Sequence, residues 1–307
     1  MSTVRAAVFP GQGAQKPGMG EHWRDSPAWS LVEEISDSVG RDVSELLLVS
    51  DEQTLQQTDN AQLSMFAMGV LGYHDAHLGV SDPEVVAFAG HSLGEYVALV
   101  AAGALSVTDG ARLVAARGSA MLAAARRADS TMLVVVGADV SAVDEMVTQA
   151  RSEGYDVWVA NVNGPGQVVL SGTVAAIDEA ATRVHALALR PVRISVGGAF
   201  HCPLMESACE PLAQALDTVR FAARHAPVVA NVDGRPHTDG AGWRDRLIRQ
   251  LTSPVLWHTG FRALVEDLRC DTIVEYGQAK TLTALAKRSG YQISTLKFDR
   301  PGAGALV

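Results

Sequence analysis

The segment VVAFAGHSLGE (residues 85–95) joins a short apolar run to a Gly-x-Ser-x-Gly pentapeptide, and a helical pattern, EYVALVAA (residues 95–102), follows it. A strand, a sharp turn that carries a serine, and a helix form a nucleophile elbow when they occur in this order. Glycine at Gly90 and Gly94 removes side chains that would clash in so tight a turn. The sequence therefore predicts that the Ser92 hydroxyl is exposed at a helix N-terminus, where backbone amides stabilise negative charge.

An ordinary strand-to-helix turn, in which glycines and a serine coincide, is the alternative to an elbow at this position. If Ser92 is a nucleophile it needs a base, because a serine hydroxyl by itself is weakly nucleophilic. His91 is adjacent, but elbow geometry directs its side chain away from that of Ser92. His201 is the better candidate, since it follows a glycine-rich loop at the end of a predicted strand. The structural alternative is that His201 caps a helix beginning near Pro203.

The composition is that of a folded globular protein, since 48% of the 307 residues are hydrophobic and 19% are charged. No apolar stretch is long enough to span a bilayer, and the N-terminus leads into a strand instead of a secretion signal. We therefore expect a cytoplasmic protein with no membrane contact. The formal net charge of -9 argues against a nucleic-acid partner. Three cysteines without paired spacing predict free thiols and no metal site.

Strands alternate with helices over most of the chain, which predicts an α/β fold with a parallel sheet covered by helices on both faces. Before the elbow we expect a strand over residues 4–10 and helices over 30–48 and 61–71. After it, Thr108-Asp109 should cap a further helix. The alternation resumes near the C-terminal end, with strands over 228–232 and 272–276 and helices over 243–251, 260–268 and 280–288.

Residues 129–197 have a different pattern, in which strand, helix, two strands, helix and strand follow one another. The two middle strands are joined by Asn163-Gly164-Pro165-Gly166, which is typical of a hairpin turn. The order βαββαβ is that of a ferredoxin-like unit. We therefore expect a large α/β-hydrolase-like domain with a parallel sheet, formed by residues 1–128 and 198–307, into which a small ferredoxin-like subdomain, residues 129–197, is inserted.

Four further motifs accompany the pentapeptide along the chain. They are FPGQG (9–13), Arg117-Gly118 with Met121, NVNGPGQ (161–167) and GAFH (198–201). Together with GHSLGE they resemble the motifs of the malonyl-CoA:acyl carrier protein transacylase family, which includes the discrete acyltransferases of polyketide synthases. The similarity covers essentially the whole chain, and several motifs in consistent order make it far more specific than the pentapeptide alone.

The resemblance implies a ping-pong reaction. Ser92 would attack the thioester of malonyl-CoA, coenzyme A would leave, and the phosphopantetheine thiol of an acyl carrier protein would take the malonyl group. His201 would act first as general base and then as general acid. By the same resemblance, the backbone amides of Gln12 and Leu93 would form the oxyanion hole, and the main-chain carbonyl of Gln250 would orient the histidine.

Substrate selection rests on three further positions. A guanidinium at Arg117 would pair both oxygens of a buried malonyl carboxylate, and the alternative for this residue is an ordinary surface arginine. In the family, an aromatic residue at the position of Phe200 goes with malonyl, because its bulk crowds an α-substituent such as that of methylmalonyl. Gln62 matches a family pocket position and could otherwise be a helix-start residue.

Small departures from the family pattern occur at the edge of the pocket. Cys202 stands where many relatives have serine, Leu63 stands where proline is frequent, and the loop at residues 276–280 has fewer glycines and prolines. None of these positions is a core catalytic one.

A proofreading acyl hydrolase on the same fold is the alternative function, in which water would resolve the acyl-enzyme. Such relatives are expected to lack the carboxylate-binding arginine, so Arg117 favours transfer. A silent docking module is disfavoured by the presence of both Ser92 and His201. We expect no bound cofactor, with malonyl-CoA as substrate and service in fatty-acid or polyketide synthesis.

Overall fold

The computed structural model describes residues 3–78, 84–194 and 196–302. Parts of the expectations from the sequence therefore lie outside the described residues: the N-terminal lead at residues 1–2, residue 195 of the inserted unit expected over 129–197, and residues 79–83 and 303–307 of the large domain. The strands are β1 (Arg5–Phe9), β2 (Val85–Gly90), β3 (Ser130–Ala138), β4 (Val157–Gly164), β5 (Gly166–Thr173), β6 (Arg190–Ile194), β7 (Val228–Val229), β8 (Pro236–His237), β9 (Thr272–Tyr276) and β10 (Ser294–Phe298).

Helices cover the faces of two separate sheets. They are α1 (Ser30–Val39), α2 (Val43–Leu48), α3 (Glu52–Gln56), α4 (Thr58–Ala76), α5 (Gly94–Ala101), α6 (Val107–Ala125), α7 (Val140–Ser152), α8 (Val174–Ala186), α9 (Cys209–Leu216), α10 (Trp243–Thr252), α11 (Trp257–Glu266) and α12 (Thr281–Lys287). Short 3-10 helices occur at Glu21–Trp23, Pro27–Trp29 and Pro203–Ala208.

The larger sheet has the strand order β10-β9-β1-β2-β7-β8. Its first five strands are parallel, and only the short β8 is antiparallel to its neighbour. Alternate residues of β1 enter different cores: Ala7 and Phe9 pack with α4, α5 and α6, whereas Ala6 and Val8 pack with α11 and α12. This alternation follows from the two-residue period of a strand. The protein is thus a mixed α/β protein with a parallel sheet that has helices on both faces.

The smaller sheet has the order β4-β5-β3-β6 and is antiparallel throughout. One face is covered by α7 and α8, and these elements share an apolar core whose members run from Leu133 to Val184. Gly164 and Gly166 at the hairpin between β4 and β5 both have positive φ, of 156° and 77°. Glycine adopts these conformations without the cost that a Cβ would impose.

Some element boundaries differ from those expected from the sequence. The single helix expected over residues 30–48 is two helices, because Gly40 ends α1 in the left-handed conformation, with φ of 64°. The cap of α6 is Ser106, whose side chain accepts the Asp109 amide at 3.1 Å, and not Thr108-Asp109. The strands β8 and β10 and the helix α3 were not expected from the sequence, and a helix near α9 was considered only as beginning near Pro203.

Within the described ranges, none of the helices combines the length and the apolar character that a membrane span needs. Cys202, Cys209 and Cys270 are free thiols. Burial raises the pKa of Cys202 and of Cys270 to about 12 in each case, so neither thiol is ionised at neutral pH.

Candidate active site

The turn between β2 and α5 has the geometry of a nucleophile elbow. Ser92 has a φ of 52°, a left-handed conformation that is strained for a residue with a side chain. A Cβ on Gly90 would lie 1.9 Å from the carbonyl carbon of Gly94, and a Cβ on Gly94 would lie 2.1 Å from the carbonyl oxygen of Phe9. Both glycines are therefore required by close backbone contacts, and the ordinary-turn alternative does not account for them.

His201 lies within hydrogen-bond distance of Ser92. Its Nε2 is 2.7 Å from Ser92 Oγ, and its Nδ1 is 2.7 Å from the main-chain oxygen of Gln250. A carbonyl can only accept, so Nδ1 carries the hydrogen and Nε2 is free to take the serine proton. The ring is 4% exposed, and burial together with the Arg117 charge lowers the pKa of His201 to about 3. The imidazole is therefore neutral, as a general base must be.

The alternatives for the two histidines do not fit the structure. The Nε2 atom of His91 is 2.8 Å from Asn163 Oδ1, and its ring lies against Trp257, so it points away from Ser92 as expected. The 3-10 helix after His201 has Cys202 at its N-cap and no side-chain capping bond. His201 is itself in a left-handed conformation, with φ of 59°.

Arg117 extends from α6 into the same site and is 1% exposed. Its Nη1 donates to Gln62 Oε1 at 2.5 Å, and its Nη2 donates to Gln250 Oε1 at 2.8 Å and to Ser92 Oγ at 3.1 Å. It is not the surface arginine of the alternative interpretation. All three acceptors are neutral oxygens, so the buried guanidinium is available to pair with an anion beside the nucleophile.

Contacts with Gln62 and Tyr96 hold the Arg117 guanidinium in place. Gln62 donates through Nε2 to the Met121 sulfur at 3.2 Å, so that its oxygen faces Arg117. The Arg117 Cζ atom also lies 5.5 Å from the centre of the Tyr96 ring.

Gly118 allows α6 to approach α4, since a Cβ there would be 2.8 Å from Asp59 Cα. Gln62 is buried and lies in the second turn of α4, so it is more than a helix-start residue.

The loop after β1 packs directly on the elbow. The His91 amide donates to the Phe9 carbonyl at 2.9 Å, and a Cβ on Gly11 would lie 2.7 Å from the His91 oxygen. Gln12, the next residue of this loop, and Leu93, at the start of α5, are therefore brought to the same edge of the sheet as Ser92.

Phe200 precedes the histidine and is 3% exposed. Its main-chain oxygen accepts from the Ser171 hydroxyl at 2.6 Å, which ties the loop that carries His201 to β5. Phe200 belongs to the same apolar core as Leu93 and Met121.

Asn231 and Glu95 also belong to the site and were not identified as functional from the sequence. Asn231 Oδ1 accepts the Ser92 amide at 2.7 Å, and its Nδ2 donates to the Gly90 carbonyl at 2.7 Å. Glu95 accepts the Asn231 amide at 2.7 Å and also accepts from Gln250 Nε2. A signal was present for Glu95, since it is a carboxylate on an otherwise apolar helix directly after the pentapeptide. Asn231 had none beyond its position in the strand expected over residues 228–232.

A family model described as "Acyl transferase domain" matches residues 7–297 of the chain. The malonyl CoA-acyl carrier protein transacylase of Bacillus subtilis is 34% identical over 299 residues, which are 96% of this chain and 93% of that protein. The protein of the same name from Escherichia coli K12 is 34% identical over 311 residues, 99% of each chain.

Solved structures of such proteins have the same fold. The malonyl CoA-acyl carrier protein transacylase of Coxiella burnetii superposes with a TM-score of 0.92 at 30% identity, over 98% of this chain and 95% of that one. A malonyl-transacylase in complex with a holo type II PKS acyl carrier protein superposes with a TM-score of 0.91 at 31% identity, over 97% and 96% of the two chains.

Proposed function

This chain belongs to the acyl transferase domain family, among the malonyl CoA-acyl carrier protein transacylases, and we propose that it transfers a malonyl group from malonyl-CoA to the phosphopantetheine thiol of an acyl carrier protein. The observation that carries the proposal is the Arg117 guanidinium, which is buried, lies 3.1 Å from Ser92 Oγ and donates to neutral acceptors among the described residues. A site of this kind favours an acyl group that ends in a carboxylate, since burying that carboxylate without a cation would be costly.

In the first half-reaction, Ser92 Oγ attacks the thioester carbon while its proton passes to His201 Nε2. The Gln250 carbonyl, 2.7 Å from His201 Nδ1, stabilises the imidazolium that forms. The backbone amides of Gln12 and Leu93 would hold the oxyanion of the tetrahedral intermediate. Collapse of the intermediate breaks the carbon–sulfur bond, and His201 returns its proton to the coenzyme A sulfur.

In the second half-reaction, the attacking group is the thiol of the carrier's phosphopantetheine. His201 takes the thiol proton, the sulfur attacks the malonyl ester, and the same proton returns to Ser92 Oγ as the ester bond breaks. The phosphopantetheine arrives on the partner protein and no bound cofactor takes part. In the hydrolase alternative, water would attack the malonyl ester at this step faster than the thiol does.

Acyl selection involves positions on both sides of the nucleophile. Gln62 accepts a hydrogen bond from Arg117 Nη1 and so fixes the orientation of the planar guanidinium before the substrate binds. The buried Phe200 next to His201 would crowd a branched acyl group and so favour malonyl over methylmalonyl.

We also propose that residues 1–128 and 198–307 form an α/β-hydrolase-like domain and that residues 129–197 form a ferredoxin-like subdomain. The order β4-β5-β3-β6 and the separate apolar core of the smaller sheet support this division. Service in fatty-acid or polyketide synthesis follows from the transfer of malonyl to a carrier, and a cytoplasmic location stays a prediction from the sequence.

Incubation with malonyl-CoA followed by intact-protein mass spectrometry tests the function. We expect one malonyl group per chain, no labelling of Ser92→Ala, and normal labelling of Ser64→Ala. Ser64 serves as the control because it is a buried serine of α4 whose hydroxyl donates to the Asn60 carbonyl at 2.7 Å. Addition of holo carrier protein should then discharge the acyl-enzyme faster than buffer does. Faster discharge by buffer would establish the hydrolase instead.

A further inference from the structure

Glu95 is a buried carboxyl that takes no part in the chemistry described above. It is 1% exposed and lies in the first turn of α5, directly below the nucleophile. One carboxyl oxygen accepts the Asn231 amide at 2.7 Å, and the other accepts from Gln250 Nε2. Burial raises the pKa of Glu95 to about 8, although both N–H donors oppose that shift, so above this pH the carboxylate is an acceptor at both oxygens. A carboxyl is a costly group to bury, and both residues that it contacts also contact Ser92.

The Gln250 side-chain amide connects Glu95 to the reacting groups. Its Nε2 also donates to the main-chain oxygen of Ser92 at 2.9 Å, and its Oε1 accepts from Arg117 Nη2 at 2.8 Å. An amide nitrogen only donates and an amide oxygen only accepts. If the amide were turned over, its NH₂ group would face the guanidinium and its oxygen would face the Glu95 carboxyl. An acceptor on one side and a donor on the other therefore select one orientation.

We propose that Glu95 is a positioning residue that fixes the orientation of the Gln250 amide and, through it, the place of the Arg117 guanidinium beside Ser92. The proposal rests on the malonyl transfer argued above. Among the described residues, Arg117 Nη2 has two acceptors, Gln250 Oε1 and Ser92 Oγ, so a displaced amide moves the guanidinium relative to the nucleophile. Loss of Glu95 should then slow the loading of Ser92 with an acyl group that carries a carboxylate more than its loading with an acyl group that lacks one.

Glu95→Gln is the decisive variant, because it keeps the size of the side chain and replaces one acceptor by a donor. The Asn231 amide belongs to the main chain and cannot turn away, so the introduced NH₂ group faces Gln250 Nε2. We expect Ser92 loading from malonyl-CoA to fall by about tenfold more than loading from acetyl-CoA, the size of one weakened hydrogen bond to a charged group. Rates from both thioesters are measured by quenched-flow and mass spectrometry above pH 8, where the wild-type Glu95 is ionised.

Glu275→Gln is the matched control. Glu275 is 0% exposed and also accepts two backbone amides, those of Leu282 at 3.1 Å and Thr283 at 2.8 Å, but it lies under α12 and does not contact the site. A purely structural role predicts that both variants lower the melting temperature and leave the malonyl-to-acetyl ratio unchanged. A lowered ratio in Glu95→Gln alone supports the positioning role.

An unchanged ratio in folded Glu95→Gln would overturn the inference. If Glu95→Gln does not fold, Glu95→Asp replaces it, because aspartate keeps the carboxylate acceptor on a shorter side chain. An equal loss of loading rate from malonyl-CoA and from acetyl-CoA in that variant would also overturn the inference. Wild-type protein that fails to load malonyl-CoA would instead refute the proposed function, so the two failures are distinguishable.

Discussion

Replacement of Arg117 by alanine separates recognition of the malonyl carboxylate from the chemistry at the serine. The guanidinium is buried and donates to Gln62, Gln250 and Ser92, and no catalytic proton passes through it. Arg117→Ala would leave the Ser92–His201 hydrogen bond in place while removing the cation that a malonyl carboxylate needs. Acetyl-CoA presents the same thioester without the carboxylate, so it reports on the chemistry alone.

The size of the effect follows from the burial of the guanidinium. Loss of one partner from a buried, hydrogen-bonded charge pair costs about 2–5 kcal/mol. At about 1.4 kcal/mol for each factor of ten, kcat/KM for malonyl-CoA should fall by about 30- to 4000-fold. The acetyl-CoA reaction loses only the Nη2 contact to Ser92 Oγ, a single hydrogen bond, and should change by no more than about tenfold.

Stopped-flow measurement of coenzyme A release from both thioesters gives the two rates. Arg112→Ala is the control, since Arg112 lies on the same helix with its side chain 56% exposed and should not alter either rate. If Arg117→Ala slows malonyl and acetyl transfer by the same factor, the guanidinium does not bind the carboxylate, and the reasoning from its neutral acceptors is refuted.

The His201 pKa of about 3 means that the unfolded chain binds one more proton than the folded chain between that pH and 6.5. The free energy of unfolding should fall as the pH is lowered through this window, by at most about 1.4 kcal/mol per unit, and His201→Gln should lack this contribution. Urea denaturation across the window measures the difference, and parallel pH profiles would contradict the depressed pKa. Gly94→Ala would place a Cβ 2.1 Å from the Phe9 oxygen and should abolish malonyl loading. Gly197→Ala, whose nearest neighbour is the Thr58 hydroxyl at 3.2 Å, should load normally, and loading by Gly94→Ala would show that the elbow tolerates a side chain.

Features with a local cause were predictable from the sequence. The elbow depends on Gly90 and Gly94, which stand within five residues of each other. The helix α7 is the first helix expected in the unit over 129–197, and its regular apolar period made it predictable. The break at Gly40 had a local signal in the glycine itself and was still not predicted. The strand β10 is short and mostly half-exposed, so its pattern is weak.

The supports of the nucleophile could not be predicted in the same way, because they are distant in sequence. Asn231 is 139 residues from Ser92, and Gln250 is 158 residues from it. The family resemblance indicated the main-chain carbonyl of Gln250, but not its side-chain bonds to Ser92 and Arg117. Only the packing of α10 against the elbow brings that amide into contact with both, and no pattern of residue types encodes a contact of this kind.

The same distant residues explain how two strained positions persist. Ser92 and His201 both have left-handed backbones, each at a cost of about 1–3 kcal/mol. The Ser92 amide is held by Asn231 and its carbonyl by Gln250, while the Gln250 main-chain oxygen holds the His201 ring. Elements that follow the smaller sheet in the chain therefore hold the elbow that precedes it. Ser92 and His201 therefore reach their 2.7 Å separation only when the segments before and after the smaller sheet have folded together.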